Sequence, residues 1–583
     1  MGVPGFFMWL LKQYSNSGFV FSKEKLDRVD ILNKINNIDW LLFDTNCLIH
    51  PVCQKVLEAN PKYGLKDGLS QDALEEQMIN AVLEYIEELT KYVEPKQGIF
   101  VAIDGSAPMS KIKQQRLRRF KSIADKKLFD TIKKKHSREI KPWWNSNAIT
   151  PATDFMVKLD VAIKIWAVKQ KTKVIYSSCF SAGEGEHKLL DFIRTNIKLN
   201  QSYVVYGLDA DLLFLSMSSQ SPNIFLLRET QEMDKRAPVD VEQSILPKLS
   251  YVNIEHMKLL IRENITIMLL ENGLDKDVIK TIETPNLIND FIFLCYFLGN
   301  DFLPHLPTLD IHNSGIEYLL KAYTKVFATY YLEKHNFSYM VSIKDTPTIN
   351  YDLLKLWLSN LSLEEDTILL NNYHNKRIPK TFSNDPYDKE MFKIDNVLFR
   401  YADPIQLGSD SSELWKTRYY KHYWQNANLQ NICNEYFKGI EWVTQYYFSK
   451  CVDWTWFYPY NNPPFISDMS KYLIKQEINW IQATPMPPLL QLLLVLPPQS
   501  SYLVPKPFQK LMLDPTSPII KYYPTDFQQD YIGKRKYWQS IPLLPPLNIK
   551  AIYDEYKKIF ESKELNEMEK NKNKPQPIHL FGF

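Results

Sequence analysis

Four short apolar runs in the first third of the chain constrain the fold more than any other feature. Each ends in an acidic or small polar residue, and each is followed by a helical pattern. The runs are Trp40–Phe43 before Asp44, Ile99–Ile103 before Asp104, Val174–Tyr176 before Ser177, and Tyr203–Leu208 before Asp209. A strand that is apolar on both faces must be covered on both faces. Alternation with helices therefore predicts an α/β fold, a mostly parallel central sheet flanked by helices. In such sheets ligands gather beyond the carboxyl ends of the strands, and that is where the acidic residues fall.

The 583 residues leave room for more than this core. A helical pattern runs from Asn286 to Glu364, with Gly299 as a helix stop, so residues 1–365 are expected to form one catalytic segment: the core and a helical extension. Residues 366–410, polar and rich in Asn, Asp and Lys, read as a linker or surface excursion. Residues 411–560 are dense in aromatics and prolines and are expected to pack around the site as a second segment. Within it, the leucines between Pro485 and Pro507 require burial. The charged end, 561–583, is expected to be a mobile tail.

A net charge of +3 does not announce a nucleic-acid partner, so any basic surface must be local. The six cysteines are scattered without a CxxC pair, which points to buried thiols in a reducing compartment and excludes a clustered zinc site. No apolar stretch reaches the ~20 residues a membrane helix needs. The start, MGVPGFF, lacks a signal-peptide build, and Phe6 stands where a myristoylation site has Ser or Thr. These readings predict a cytoplasmic protein without a membrane partner, taken by default as a monomer.

Carboxylates carry the chemistry. Gly207-Leu208-Asp209-Ala210-Asp211 is expected to put two aspartates on one side of an extended strand end. Gly183-Glu184-Gly185-Glu186-His187 opens a helix, Asp44 and Asp104 end strands, and Asp301 follows the Gly299 stop. Alone, each has a bland reading as a helix cap or turn former. Together they would repel strongly unless cations neutralised them. Oxygen-only donors favour Mg²⁺ or Mn²⁺, and two such ions suit in-line hydrolysis of a phosphodiester.

Directly after Asp104, Lys111, Gln115, Arg118 and Arg119 fall on one face of a helix that Pro108 begins. A cationic face with an amide donor, next to candidate metal ligands, suits a phosphate.

At these residues the sequence resembles the XRN family of 5′→3′ exoribonucleases. The resemblance covers MGVPGFF, FDTNCLIHP (43–51), IDGSAPMSKIKQQRLRRF (103–120), GEGEHK (183–188), GLDADLLFL (207–215) and FLGNDFLPHLP (297–307). It continues through WKTRYYK (415–421), DWTWFYPYNNPPFISDM (453–469) and SPIIKYYP (517–524). It implies that Asp44, Asp104, Glu184, Glu186, Asp209, Asp211 and Asp301 form the metal centre. It implies equally that Lys111, Gln115, Arg118 and Arg119 hold a terminal 5′-phosphate, and that His50 and either Trp454 or Trp456 stack on the first base. Asp290 falls where the family often has a further acid. The implied partner is single-stranded RNA with a 5′-monophosphate, supplied by a decapping activity upstream.

Met109-Ser110, Thr45, Cys47 and Ala182 depart from the family pattern without removing a ligand. Residues 230–243 lack the Cys and His of the zinc knuckle common in nuclear members, and the chain resembles a compact core nearer the cytoplasmic branch. Two other functions fit parts of the pattern: a structure-specific DNA flap nuclease, and an inactive protein that sequesters 5′-phosphate ends.

Overall fold

The structure is a computed structural model and describes residues 3, 5–26, 28–229, 246–375, 379–381, 383–397, 403–425 and 428–582. The 230–243 segment, of interest for the zinc knuckle, lies outside them.

Eight strands form the central sheet: β1 (Val20–Phe21), β2 (Trp40–Asp44), β3 (Gly98–Ala102), β4 (Lys173–Ser177), β5 (Tyr203–Tyr206), β6 (Ile224–Glu229), β7 (Leu249–Asn253) and, from the far end of the chain, His579–Phe581. The middle five are parallel in the order β6-β5-β2-β3-β4. β7, with β1 beyond it, closes one edge antiparallel. The chain moves outward from β2 through β3 to β4, then returns to the other side of β2 as β5. The strand order reverses there, and crevices open at such a point.

The uniformly apolar strands are explained by cores on both faces. Trp40 and Leu42 of β2, Phe100 of β3 and Val205 of β5 join one core; Leu41, Phe43, Val101 and Val204 join the other. Successive side chains leave a strand on opposite faces, so alternation between two buried layers looks, in sequence, like an unbroken apolar run.

The helical extension contains a two-stranded hairpin, β8 (Val341–Ile343) with β9 (Pro347–Ile349), where sequence predicted helix throughout. Within 366–410, expected as a linker or surface excursion, lie the helices Glu365–His374 and Pro386–Asp395, and Glu390 accepts from Lys135 at 2.8 Å. In the second segment, Gln529–Asp530 (β10) pairs with Ile541–Pro542 (β11). The helix Pro488–Val495 is buried along its whole length against the helix Met109–Lys135. Arg116 locks the two together, donating to the carbonyls of Leu494 and Tyr522.

The tail also departs from expectation. Residues 579–581 form β12, antiparallel to β4, and Gln576 accepts from Lys164 at 2.6 Å. Edge strand β4 has unpaired amides that recruit a partner strand, and this outweighs the charge that suggested mobility.

Candidate active site

The strand ends deliver the carboxylates. Asp44 is the last residue of β2, and Asp104 lies two beyond β3. Glu184 is the N-cap of the helix Gly185–Thr195, and Glu186 is in its first turn. Asp209 and Asp211 are not on an extended strand end. β5 stops at Tyr206, Asp209 lies in the turn, and Asp211 is the first residue of the helix Asp211–Ser218. Asp301 is turned inward past Gly299, whose φ of 87° ends the preceding helical turn. A Cβ there would lie 2.7 Å from the amide nitrogen of His305, so only glycine fits.

All seven carboxylates interact. Asp44, Glu184, Glu186, Asp211 and Asp301 are buried, while Asp104 and Asp209 are half-buried. Burial, then repulsion from Asp104, pushes Asp44 up to about 7. Burial likewise raises Asp211 to about 7, with Asp301 and Asp209 contributing. Glu186 is raised well above the usual carboxylate range by burial and by Asp211. Lys111 offsets part of this load: its ammonium pairs with Glu184 and, at 2.7 Å, with Asp301. Burial works against ionised Asp301, but Lys111 holds it well below the ordinary value.

The backbone is fitted closely to the cluster. The Gly185 amide donates to Asp104 at 2.6 Å, and a Cβ on Gly185 would lie 3.0 Å from Asp44 Oδ1. Asn46 donates to Asp104 Oδ2 at 2.9 Å, and the Cys47 thiol to Asp44 Oδ2 at 2.7 Å.

Sequence reasoning missed two further members. From the helix Leu429–Phe448, Tyr446 donates its hydroxyl to Glu184 at 2.7 Å, and Tyr447 donates to Asp211 at 2.5 Å. They lie more than 230 residues from their partners, and two tyrosines in an aromatic helix carry no local sign of such a role. A ring column supports them: Trp456 on Trp442 (5.1 Å), Trp442 on Tyr446 (4.7 Å) and Tyr446 against His187 (3.8 Å). Among the described residues, Glu184, Glu186 and His187 each bring one ligand atom within 4.8 Å of the others.

The basic face lies on the helix Met109–Lys135, as predicted. Lys111, Gln115 and Arg119 are buried and Arg118 is exposed. Among the described residues neither guanidinium meets a carboxylate; the contact to Arg119 is Gln115 Oε1, at 3.5 Å. Burial, then Arg118, lowers Arg119 to about 9. His50 is exposed and lies close enough to Arg118 and Arg119 to feel their charge. Desolvation by the surrounding protein, then Arg118 and Arg119, pushes its imidazole down to about 4.

The two tryptophans separate. Trp456 is buried and stacks on Trp442 in the ring column. Trp454 is half-buried, and its carbonyl accepts from the Met109 amide at 2.9 Å, at the start of the basic helix. Asp290 is not part of the site. It accepts from Tyr323 (2.6 Å) and from the amides of Met340 (2.9 Å) and Val341 (3.0 Å), tying its helix to β8.

The donor set fits a hard divalent cation: acidic oxygens converge beyond what one lysine can neutralise, and tyrosine hydroxyls orient two of them. Such a centre, at the reversal point of a parallel sheet and beside carboxylate-free guanidiniums, defines a hydrolase of phosphate esters.

Comparison with known proteins takes this one step further. The XRN 5′–3′ exonuclease N-terminus matches residues 1–230, and the Xrn1 helical domain matches residues 281–397 and 395–581. The chain belongs to the XRN 5′–3′ exonuclease family. It is 28% identical to the 5′–3′ exoribonuclease 2 homolog of Drosophila melanogaster, over 100% of this chain and 73% of the relative. It is 26% identical to 5′–3′ exoribonuclease 2 of Candida albicans, over 100% and 74%. With human 5′–3′ exoribonuclease 1 the identity is 27%, over 98% of this chain and 35% of the relative. Identity to the two types is equal within a few per cent, so it assigns the chain to neither branch.

Proposed function

We propose that the protein degrades single-stranded RNA carrying a 5′-monophosphate, processively from the 5′ end, to 5′-mononucleotides. The carrying observation is the adjacency of the carboxylate cluster to two guanidiniums that, among the described residues, meet no carboxylate. Asp44, Asp104, Glu184, Glu186, Asp209, Asp211 and Asp301 would hold two Mg²⁺ or Mn²⁺ ions. When bound, these supply Lewis acidity toward the phosphodiester and make a water nucleophilic at neutral pH.

The chain's own residues do the rest. Arg118 and Arg119 bind the terminal phosphate with charge-assisted hydrogen bonds, and Gln115 offers its amide N–H to the same group. Lys111, whose ammonium neutralises Glu184 and Asp301, turns to phosphate once cations occupy those carboxylates. His50 and Trp454 sandwich the first base; stacking contributes ~1–3 kcal/mol per base and tolerates any sequence. The terminal phosphate thereby sets which phosphodiester lies over the carboxylates, and repeating that placement yields one nucleotide per step. A pocket of two guanidiniums and one amide suits a single phosphate, which disfavours capped and triphosphorylated ends.

Six free thiols suit a reducing compartment, and we place the activity in cytoplasmic RNA turnover, downstream of decapping; fluorescent tagging of the full chain tests the location.

The activity test is mononucleotide release from matched RNAs with 5′-monophosphate, 5′-triphosphate or 5′-hydroxyl ends, with Mg²⁺ or EDTA. Loss of the monophosphate substrate alone, abolished by EDTA and by Asp209→Ala/Asp211→Ala, is expected. Arg118→Ala/Arg119→Ala should erase the preference for that end. Preferential cutting of DNA flaps, or tight binding of the RNA without cleavage, would refute the proposal.

A further inference from the structure

A cavity of about 1040 Å³ lies away from the acidic centre, lined by none of the seven carboxylates and by none of the basic face. The two sites share a loop. Asp301 enters the acidic centre, and four residues later His305 lines the cavity. The opposite wall comes from the second segment: Tyr423, Trp424, Tyr460 and residues 528–536.

Two lysines, one arginine and three aspartates line this cavity: Lys534, Lys536, Arg535, Asp310, Asp403 and Asp530. Arg535 pairs with Asp310 at 3.1 Å and Lys536 with Asp395 at 2.6 Å. Asp530 accepts from the Tyr423 hydroxyl at 2.9 Å and from the Ile532 amide at 3.0 Å. Among the described residues the Lys534 ammonium has neither a hydrogen bond nor an ion pair, although it lines the cavity. Burial lowers its pKa, with Asp530 opposing. Lys534 is half-buried, so an anion entering the cavity would meet an ammonium that no ion pair among the described residues occupies.

The other lining groups define what carries the anion. Tyr423 and Tyr460 are half-buried rings, which offer aromatic surface to a flat ligand. His305 is held neutral, down to about 4, by burial and by Lys534. Its Nδ1 lies 3.1 Å from the Leu306 carbonyl, and the Leu309 backbone also hydrogen-bonds the ring. Asn461 and Asn462 add carboxamides. A half-buried ammonium, aromatic walls and carboxamides together match a phosphate attached to a nucleobase.

We infer that this cavity is a second binding site, for a nucleotide: its phosphate on Lys534 and its base against Tyr423 and Tyr460. The ligand is either a free mononucleotide or one nucleotide of an RNA strand. The inference does not depend on the proposed exonuclease activity.

The test is calorimetric titration of the full chain, in EDTA, with adenosine 5′-monophosphate. The Arg118→Ala/Arg119→Ala background removes binding at the basic face. One remaining site is expected, weakened about tenfold or more by Lys534→Gln, the loss expected for a hydrogen bond to a charged group. Asn461→Phe, which places a bulky ring in the cavity wall, should weaken it similarly; if that variant fails to fold, Lys534→Gln alone decides. An oligoribonucleotide with a 5′-hydroxyl distinguishes the sources. Competition with the mononucleotide, lost in Lys534→Gln, identifies a strand nucleotide; absence of competition identifies the free nucleotide. Mononucleotide affinity within twofold of the background in Lys534→Gln, no binding in the background, or orthophosphate binding as tightly as the nucleotide would each overturn the inference.

Discussion

Removing one oxygen from Tyr447 should weaken the metal centre without disturbing its packing. The hydroxyl donates to Asp211 Oδ1 at 2.5 Å, with both residues buried. A hydrogen bond to a charged group contributes ~1.5–3 kcal/mol. In Tyr447→Phe that stabilisation of ionised Asp211 is lost, and the carboxylate, already pushed up to about 7 by burial, becomes harder to ionise and freer to rotate. At ~1.36 kcal/mol per tenfold, the Mg²⁺ concentration for half-maximal activity should rise roughly 10- to 150-fold. Outer partners of metal ligands typically matter by ~10–100-fold, which agrees. The ring is retained, so its contact with Tyr296 at 5.3 Å persists. The assay is mononucleotide release against Mg²⁺ concentration, beside thermal unfolding in EDTA. A midpoint within twofold of the parent, in a folded variant, would refute the reasoning that the second segment orients the acidic centre. Tyr446→Phe, acting on Glu184, should behave alike.

Gly185→Ala places a methyl 3.0 Å from Asp44 Oδ1 and 3.1 Å from the Ala102 carbonyl. A displacement of that kind should cut turnover about a hundredfold. Thermal unfolding should stay within about 1 kcal/mol of the parent, since alanine's helix preference offsets the crowding; unchanged turnover would count against the close packing. Asp290→Asn turns an amide donor toward backbone amides or the Tyr323 hydroxyl. It should lose about 1–3 kcal/mol in denaturant unfolding with the Mg²⁺ midpoint unmoved; a shifted midpoint would return Asp290 to the metal site. Truncation after Pro575 removes β12 and the bonds of Gln576 to Lys164 and Ser181. At ~1 kcal/mol per hydrogen bond it should cost about 2–4 kcal/mol, and unaltered unfolding would show that the tail does not hold the edge.

The sequence by itself determined the parallel core and the acidic set. Both are encoded locally: an apolar run is a strand buried on both faces, and the residue after it stands at the end where the sheet collects ligands. The basic face was equally legible, because helical spacing alone puts Lys111, Gln115, Arg118 and Arg119 on one side. Tertiary structure decided what depends on distant partners. Trp456 is buried because it stacks on Trp442 from a distant helix, while Trp454, two residues earlier, stays half-buried. Asp290, an acid in an acid-rich motif, is instead a structural anchor for β8. The charged tail became a strand because β4 offered it an edge. Tyr446 and Tyr447 reach the carboxylates only because a helix from the second segment docks there. Spacing along the chain specifies which residues share a face, but contacts between segments hundreds of residues apart are set by how whole surfaces pack, and no local pattern records that.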